Sequence, residues 1–453
     1  MKILITLLAI ISSISCIARA ELKPNLNTFI LNNINIIDVK NRKVQRDKSI
    51  LVSKGKIKKI AHLPILDSPT DITVIDGNGG YITPGLIDMH VHIYEKAAFT
   101  LALSHGVTHV RIMNGTLSQL TWRDQVTNGE LIGSNATVSS PILSGYDDAI
   151  FHHTVHTAAQ ASAAVKQYHS QGYDLIKAYG NLNEEALTAL IEASNILNFP
   201  IAKHGPHASG NMPVSSIAGF QSFEHVEDIY QGPLNYKFAP EKLFKIAEEI
   251  RATGVPLTPT LNIYEQLTKL SDEKEQFLET IPTEYTSDIV ALEAKHNQVN
   301  RWLTASKEMA KHNQKTLTLL KHITNVFHES GITLLVGSDS GVLLSPHGLA
   351  THNEMRLMQE SGLSAFDVLT AATINPAKAL NLDNQIGQIV ENYNADFILS
   401  KTNPIHDLSV LESPRAVVKS GVFYPDTVLK QLRDNAIESR SFWDELVTLF
   451  EAL

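Results

Sequence analysis

The stretch Tyr81-Ile-Thr-Pro-Gly-Leu-Ile-Asp-Met-His-Val-His92 decides how this chain reads. After Pro84-Gly85 an apolar run ends in two histidines one residue apart. Alternate residues of a strand share a side. His90 and His92 are therefore expected to face one way at the C-terminal end of a buried strand. Two neutral imidazoles on one rigid face make half of a metal site. Alone, a His-x-His pair is a weak signal, since histidines near strand ends are ordinary polar residues. The rest of the chain has to supply the other ligands.

The pattern differs on the two sides of this stretch. Residues 28–83 read as short β-rich runs separated by Asn, Asp, Gly and Lys, the pattern of a small antiparallel sheet domain. From Leu86 onward, short apolar runs alternate with helical segments, which predicts βα units and a parallel sheet. The predicted strands are 86–92, 107–113, 136–143, 174–178, 200–204, 221–225, 255–260 and 332–338. Eight is the number that closes a (β/α)8, or TIM, barrel in the α/β class. Helical spacing fills the gaps at 158–171, 183–198 and 240–253, with Gly172 and Gly254 at helix ends. The connection 262–331 is unusually long, polar and helix-friendly. It is expected to be a lid or an interface, or else a solvated helical hairpin.

Beyond the eighth strand, 353–362 and 364–380 read as helices. Strand character then returns at 387–390, 395–399 and 416–424, which are expected to complete the sheet domain begun by the N-terminal segment. The expected division is a leader at 1–20, a sheet domain from 21–83 and 385–425, a barrel at 84–384, and a C-terminal helix at 426–453.

The chain has 453 residues, 43% hydrophobic and 19% charged, enough apolar material for one large and one smaller domain. Lys2, the apolar run from Ile3 to Ile11 and Ala18-Arg19-Ala20 form an export signal with a small-x-small cleavage site. Export to the periplasm or the medium is expected, with cleavage after Ala20. Lipid anchoring at Cys16 is the lesser alternative, because Ser13-Ile14-Ser15 is a poor lipoprotein signal. Cys16 is the only cysteine, so the mature chain has neither disulfides nor thiolate ligands. A net charge of −9 argues against a nucleic-acid partner. No stretch outside the leader is apolar enough to span a membrane.

In a barrel the C-terminal ends of all strands meet on one face, where the chemistry sits. The first strand ends in His90 and His92, the fourth carries Lys177, the fifth ends in His204, the sixth in His225, and the eighth leads to Asp339. Taken singly, His204 or His225 could be a hydrogen-bonded packing residue, Asp339 a turn former and Lys177 a surface lysine. The apolar flanks of Lys177 point to a partly buried amine, which is costly as an unpaired ammonium. Six metal-competent or metal-adjacent groups at five strand ends are far more specific than any one of them.

These residues make the chain resemble the amidohydrolase superfamily, in its imidazolonepropionase-related and Xaa-Pro dipeptidase-like branch. The matching stretches are Pro84-Gly-Leu-Ile-Asp-Met-His-Val-His92, Gly106-Val-Thr-His-Val-Arg111, Asp174-Leu-Ile-Lys177, Glu224-His225 and Gly337-Ser-Asp-Ser-Gly341, with two further segments after residue 370. The resemblance implies a (β/α)8 barrel with a small β-sandwich built from both chain ends. It also implies a centre of two divalent metal ions. His90, His92 and Asp339 would hold one ion, and His204 and His225 the other. Lys177 would take up carbon dioxide as a carbamate bridging both. Zinc suits histidine and carboxylate ligands, though manganese, iron and cobalt also fit. Branches without the lysine tend to hold one ion, so Lys177 argues against imidazolonepropionase activity itself. Gly205-Pro206-His207 departs from the usual sequence after the fifth-strand histidine.

The implied chemistry is hydrolysis of an amide C–N bond by a metal-bridging hydroxide, with Asp339 as the proton carrier. The favoured substrate is a dipeptide or an N-acyl amino acid. A cyclic amide, lactone or phosphoester on the same centre is the alternative, and a non-catalytic relative is a weaker one. Candidate substrate contacts are His152, His153, Tyr179, His207 and Tyr264, each equally readable as a structural loop residue. Homo-oligomerisation is left open.

Overall fold

A computed structural model describes residues 27–62 and 72–452. The expected leader with Cys16 lies outside the described residues. Strands β1 (Thr28–Asp38), β2 (Lys43–Ser53), β3 (Lys56–His62) and β4 (Thr73–Pro84) come first. The barrel strands follow: β5 (Leu86–Val91), β6 (Val107–Ile112), β7 (Asn135–Ser144), β9 (Leu175–Ala178), β10 (Ile201–His204), β11 (Ser222–Glu224) and β12 (Leu257–Thr258). A short strand, β8 (His152–Thr154), pairs with β7 outside the main ladder. The chain then adds β13 (Phe397–Ser400), β14 (Ala416–Lys419) and β15 (Val422–Pro425).

The strands β5, β6, β7, β9, β10, β11 and β12 form a parallel ladder in that order. The eighth position is filled by segment 332–340, which makes isolated parallel bridges instead of a regular strand. Leu335 N donates to Leu257 O at 2.9 Å on one side. On the other side Met89 N donates to Val336 O at 2.9 Å and Asp339 N to His90 O at 2.7 Å. The ring is thereby closed through backbone bonds. The ladder strands are buried almost throughout, which is why they read as continuous apolar runs. Helices between them carry clear stop and start signals. Thr157 and Gln160 form a capping box before Ala158–Gln171, and Gly172 ends that helix at φ 89°.

The second sheet has the order β15-β14-β13-β4-β1-β2-β3 and is antiparallel except for the β1–β4 pair. Both chain ends therefore build it. It curls so that Phe29 of β1 meets Phe423 of β15 edge to face, with centroids 5.6 Å apart. Its core includes Phe29, Leu31, Ile50, Val52, Phe397 and Val418. Gly85 alone separates β4 from β5, and a Cβ there would lie 2.3 Å from the Thr108 hydroxyl oxygen. The quoted stretch 81–92 thus passes from one sheet into the other without a loop.

Three expectations need correction, the first being the strand at 387–390, where none forms. The connection 262–331 is not a solvated hairpin. Its helices, among them Leu261–Asp272 and Lys307–Glu329, bury Leu267, Leu270, Leu320, Ile323 and Phe327 in the main core. The C-terminal segment is two helices, Asp426–Glu438 and Phe442–Ala452. The break carries Arg440 to the buried Glu95, with Nε–Oε2 at 2.5 Å and Nη2–Oε1 at 3.0 Å. Apolar spacing runs on through the break and conceals it. No helix among the described residues is long and apolar enough to cross a membrane.

Phe29 fills the centre of the smaller core, so Phe29→Ala should lower unfolding stability by about 3–5 kcal/mol. Urea unfolding of the two proteins checks this; a loss well under 1 kcal/mol would show that the curled sheet does not depend on this contact.

Candidate metal centre

The six residues expected at the strand ends come together at one rim of the barrel. Among the described residues, His90, His225 and Asp339 form a group whose ligand atoms lie within 4.8 Å of one another. His92 joins from the side, with Nε2 at 3.1 Å from Asp339 Oδ1, and His90 Nε2 stands 3.6 Å from the same oxygen. The imidazoles of His90 and His225 have centroids 4.7 Å apart, and those of His225 and His204 4.4 Å. Lys177 is 1% exposed, and its Nζ has no hydrogen-bond partner among the described residues.

The other nitrogen of His90 and of His225 is already committed. His90 Nδ1 is 2.8 Å from Glu224 Oε2. A carboxylate only accepts, so Nδ1 carries the proton and Nε2 keeps its lone pair. The Thr260 hydroxyl donates to Pro259 O at 2.7 Å and so accepts from His225 Nδ1, also at 2.7 Å. Nε2 of His225 is left bare. His204 Nε2 lies 3.2 Å from Asp228 Oδ2, oblique to the N–H direction, and its buried Nδ1 has no hydrogen-bond partner among the described residues. The unprotonated Nε2 of His90 and His225, the unpartnered His204 Nδ1 and the Asp339 carboxylate are a donor set that suits a divalent cation.

The electrostatics favour ligand forms. Burial, helped by the Lys177 ammonium, lowers His90 to about 4. Burial and neighbouring cations also hold His204 and His225 well below the usual imidazole range. All three are neutral near pH 7. Burial opposes ionisation of Asp339, but His90, His92 and His225 hold it below the usual carboxylate range. Burial lowers Lys177 to about 8 against the pull of Glu224. Three residues here, His225, Thr260 and Asp339, have left-handed backbones with φ of 69°, 54° and 54°. Such strain gathers at functional sites, and Thr260 is the clearest outlier because it is β-branched.

The substrate candidates separate. Tyr179 stacks on His204 with centroids 3.9 Å apart, and His152 packs on Tyr179 at 4.9 Å. His207 sits beside Asp228 against Gly205, where a Cβ would lie 2.5 Å from its ring. His153 and Tyr264 are not brought to the centre. Strand alternation in β8 turns His153 toward the Tyr168 hydroxyl at 2.5 Å. Tyr264 is buried and bonds Thr316 of the long helix Lys307–Glu329.

Sequence reading missed Glu224 and Arg111 as participants. Arg111 is fully buried and donates to Met89 O, Gln221 Oε1, Ser222 Oγ and Glu224 Oε1 at 2.7–2.9 Å. The available signal was an arginine inside the apolar run Val107–Ile112, where a charge needs a partner.

Residues 81–423 match the Amidohydrolase family. A 5-methylthioadenosine/S-adenosylhomocysteine deaminase of Carboxydothermus hydrogenoformans is 23% identical, over 83% of this chain and 85% of its own. The structure of a bottromycin amidohydrolase superposes with TM-score 0.75 at 19% identity, over 91% of this chain and 90% of its own. A Xaa-Pro dipeptidase with methionine bound in its active site gives TM-score 0.66 at 21% identity, over 88% and 100%.

Lys177 is harder to protonate folded than unfolded. Its burial is a destabilising contribution, full below pH 8 and lost as pH rises toward 10.5. In metal-free, bicarbonate-free protein, the stability advantage of Lys177→Met should shrink by about 3 kcal/mol between pH 7 and pH 10.5. Urea melts at both pH values test this; a constant difference would mean that the amine is not buried.

Proposed function

The chain belongs to the amidohydrolase family, and from that premise we propose that it is a two-metal hydrolase of amide C–N bonds acting on dipeptides or N-acyl amino acids. The observation that carries this reading is Lys177, buried, without a hydrogen-bond partner among the described residues and held toward the neutral amine. A neutral amine can add to carbon dioxide. The Nζ–C bond forms, one proton leaves, and an anionic carbamate replaces a cation between two sets of histidines. His90, His92 and Asp339 are assigned to one ion and His204 and His225 to the other, with zinc the favoured metal.

Bound there, the ions would acidify a water and polarise the substrate carbonyl. Asp339 would take the proton of that water and pass it to the leaving nitrogen, the water oxygen bonding to the acyl carbon as the C–N bond breaks. Asp339 suits this role because it is anionic and stands beside the ligand nitrogens of His90 and His92. His152 and Tyr179 lie on the His204 side and are assigned to the substrate. The leader expected at 1–20 would put this action outside the cytoplasm. A second reading is deamination, favoured by the relative named as a deaminase, which matches over 83% of this chain and 85% of its own. Lys177 weighs for the two-ion centre and hence for the first reading.

Metal analysis together with a screen of dipeptides, N-acyl amino acids and adenosine derivatives separates these readings. Two ions per chain and turnover of the first two classes are expected. Ammonia release from the purines alone would replace the reading by deamination, and no turnover with no metal would make the chain a non-catalytic relative. Asp339→Asn should cost about 10²–10⁴-fold in kcat while metal is retained; unchanged kcat would remove the proton role. Lys177→Ala should lose the second ion unless a short carboxylic acid is added.

A further inference from the structure

The turn after β11 carries more than one ligand. Between Glu224 and Asp228 lie His225, Val226 and Glu227, and the helix Glu227–Gln231 begins within this turn. Glu224 reaches back to His90 of β5, at 2.8 Å from Nδ1. Asp228 Oδ2 stands 3.2 Å from Nε2 of His204 in β10, off the N–H direction, and has no hydrogen-bond partner among the described residues. Each carboxylate meets the ring nitrogen opposite the one facing the centre. Both acids are buried, but among the described residues only Glu224 is ion-paired to a buried cation. Arg111 Nη2 is 2.7 Å from Glu224 Oε1, and Ser222 donates to the same oxygen. Lys203 is the cation facing Asp228, its Nζ donating to His204 O at 3.0 Å and Gly205 O at 3.3 Å. Room for Asp228 depends on Gly205, where a Cβ would stand 2.9 Å from Asp228 Oδ2 and where φ is 75°.

We propose that this one turn orients both metal positions: Glu224, backed by Arg111, fixes His90 for the first ion, and Asp228 fixes His204 for the second. Both are positioning residues that act through a ligand histidine and touch neither substrate nor ion. The proposal rests on the two-ion reading. Carboxylates behind ligand histidines fix tautomer and ring angle, and their loss typically weakens metal binding about 10–100-fold. Because the two carboxylates serve different histidines, their losses fall on different ions.

The experiment is cobalt titration of the metal-free full chain, followed by visible absorption and chelator competition. His92→Ala and His204→Ala identify which step is which. Glu224→Gln should weaken about 10–100-fold the step that His92→Ala abolishes and change its cobalt band, leaving the other step intact. Asp228→Asn should do the converse. A generally structural role would weaken both steps together, and that result, or no change in either, overturns the proposal. Should Glu224→Gln not fold, Ser222→Ala removes only one donor to Glu224 and carries the same expectation at smaller size. Wild-type protein taking up fewer than two ions would overturn the two-ion reading and this proposal with it. Two ions in the wild type with unaffected variants would overturn this proposal alone.

Discussion

Everything at this centre depends on closing the ring of strands between β5 and segment 332–340. That segment lacks the length and regularity of a strand, yet its backbone is bonded on both sides. Asp88 clamps the seam. Its Oδ1 accepts from His90 N at 3.1 Å and Ser338 N at 3.0 Å, and its Oδ2 accepts from the Thr351 hydroxyl at 2.6 Å. Gly337 allows the approach, since a Cβ there would lie 2.3 Å from Thr258 and 2.9 Å from the His90 side chain. Without closure, Asp339 would not stand beside His90 and His92.

Closure also gathers charge in a place with little water. Arg111, Lys177 and Lys203 share the interior with Asp88, Glu224, Asp228 and Asp339, all largely buried. An isolated buried charge is expensive, whereas a paired and hydrogen-bonded one is tolerable. Arg111 has that full set of partners. Lys177 has no such set, and three rim residues hold left-handed backbones. The destabilising features lie at the face where ligand chemistry is expected, and the large apolar core offsets them.

The long connection and the C-terminal helices wall one side of this face. Tyr285 meets His105 Nε2 at 2.6 Å, and Arg440 joins Glu95 to the backbone oxygen of Glu284. Tyr285 and Glu95 line a small cleft together with His92 and Tyr94. On the His204 side Tyr146 is 43% exposed, and its ring adjoins those of His152 and Tyr179, the latter stacked on His204.

Eight apolar runs and the residues at their ends were legible in the sequence because side-chain alternation and burial are local properties of a strand. His90, His92, Lys177, His204, His225 and Asp339 follow from that pattern alone. The partners were not legible. Arg111 stands 113 residues from Glu224, and Glu224 is 134 from His90. His152 and His153 are neighbours in sequence, yet one packs on Tyr179 and the other turns to Tyr168. The broken C-terminal helix was hidden because its apolar spacing continues across the break. By itself the sequence determined which residues sit at strand ends. Only the tertiary structure decided which nitrogen of each histidine is free, because that depends on which buried carboxylate or hydroxyl the closed barrel brings to the other one.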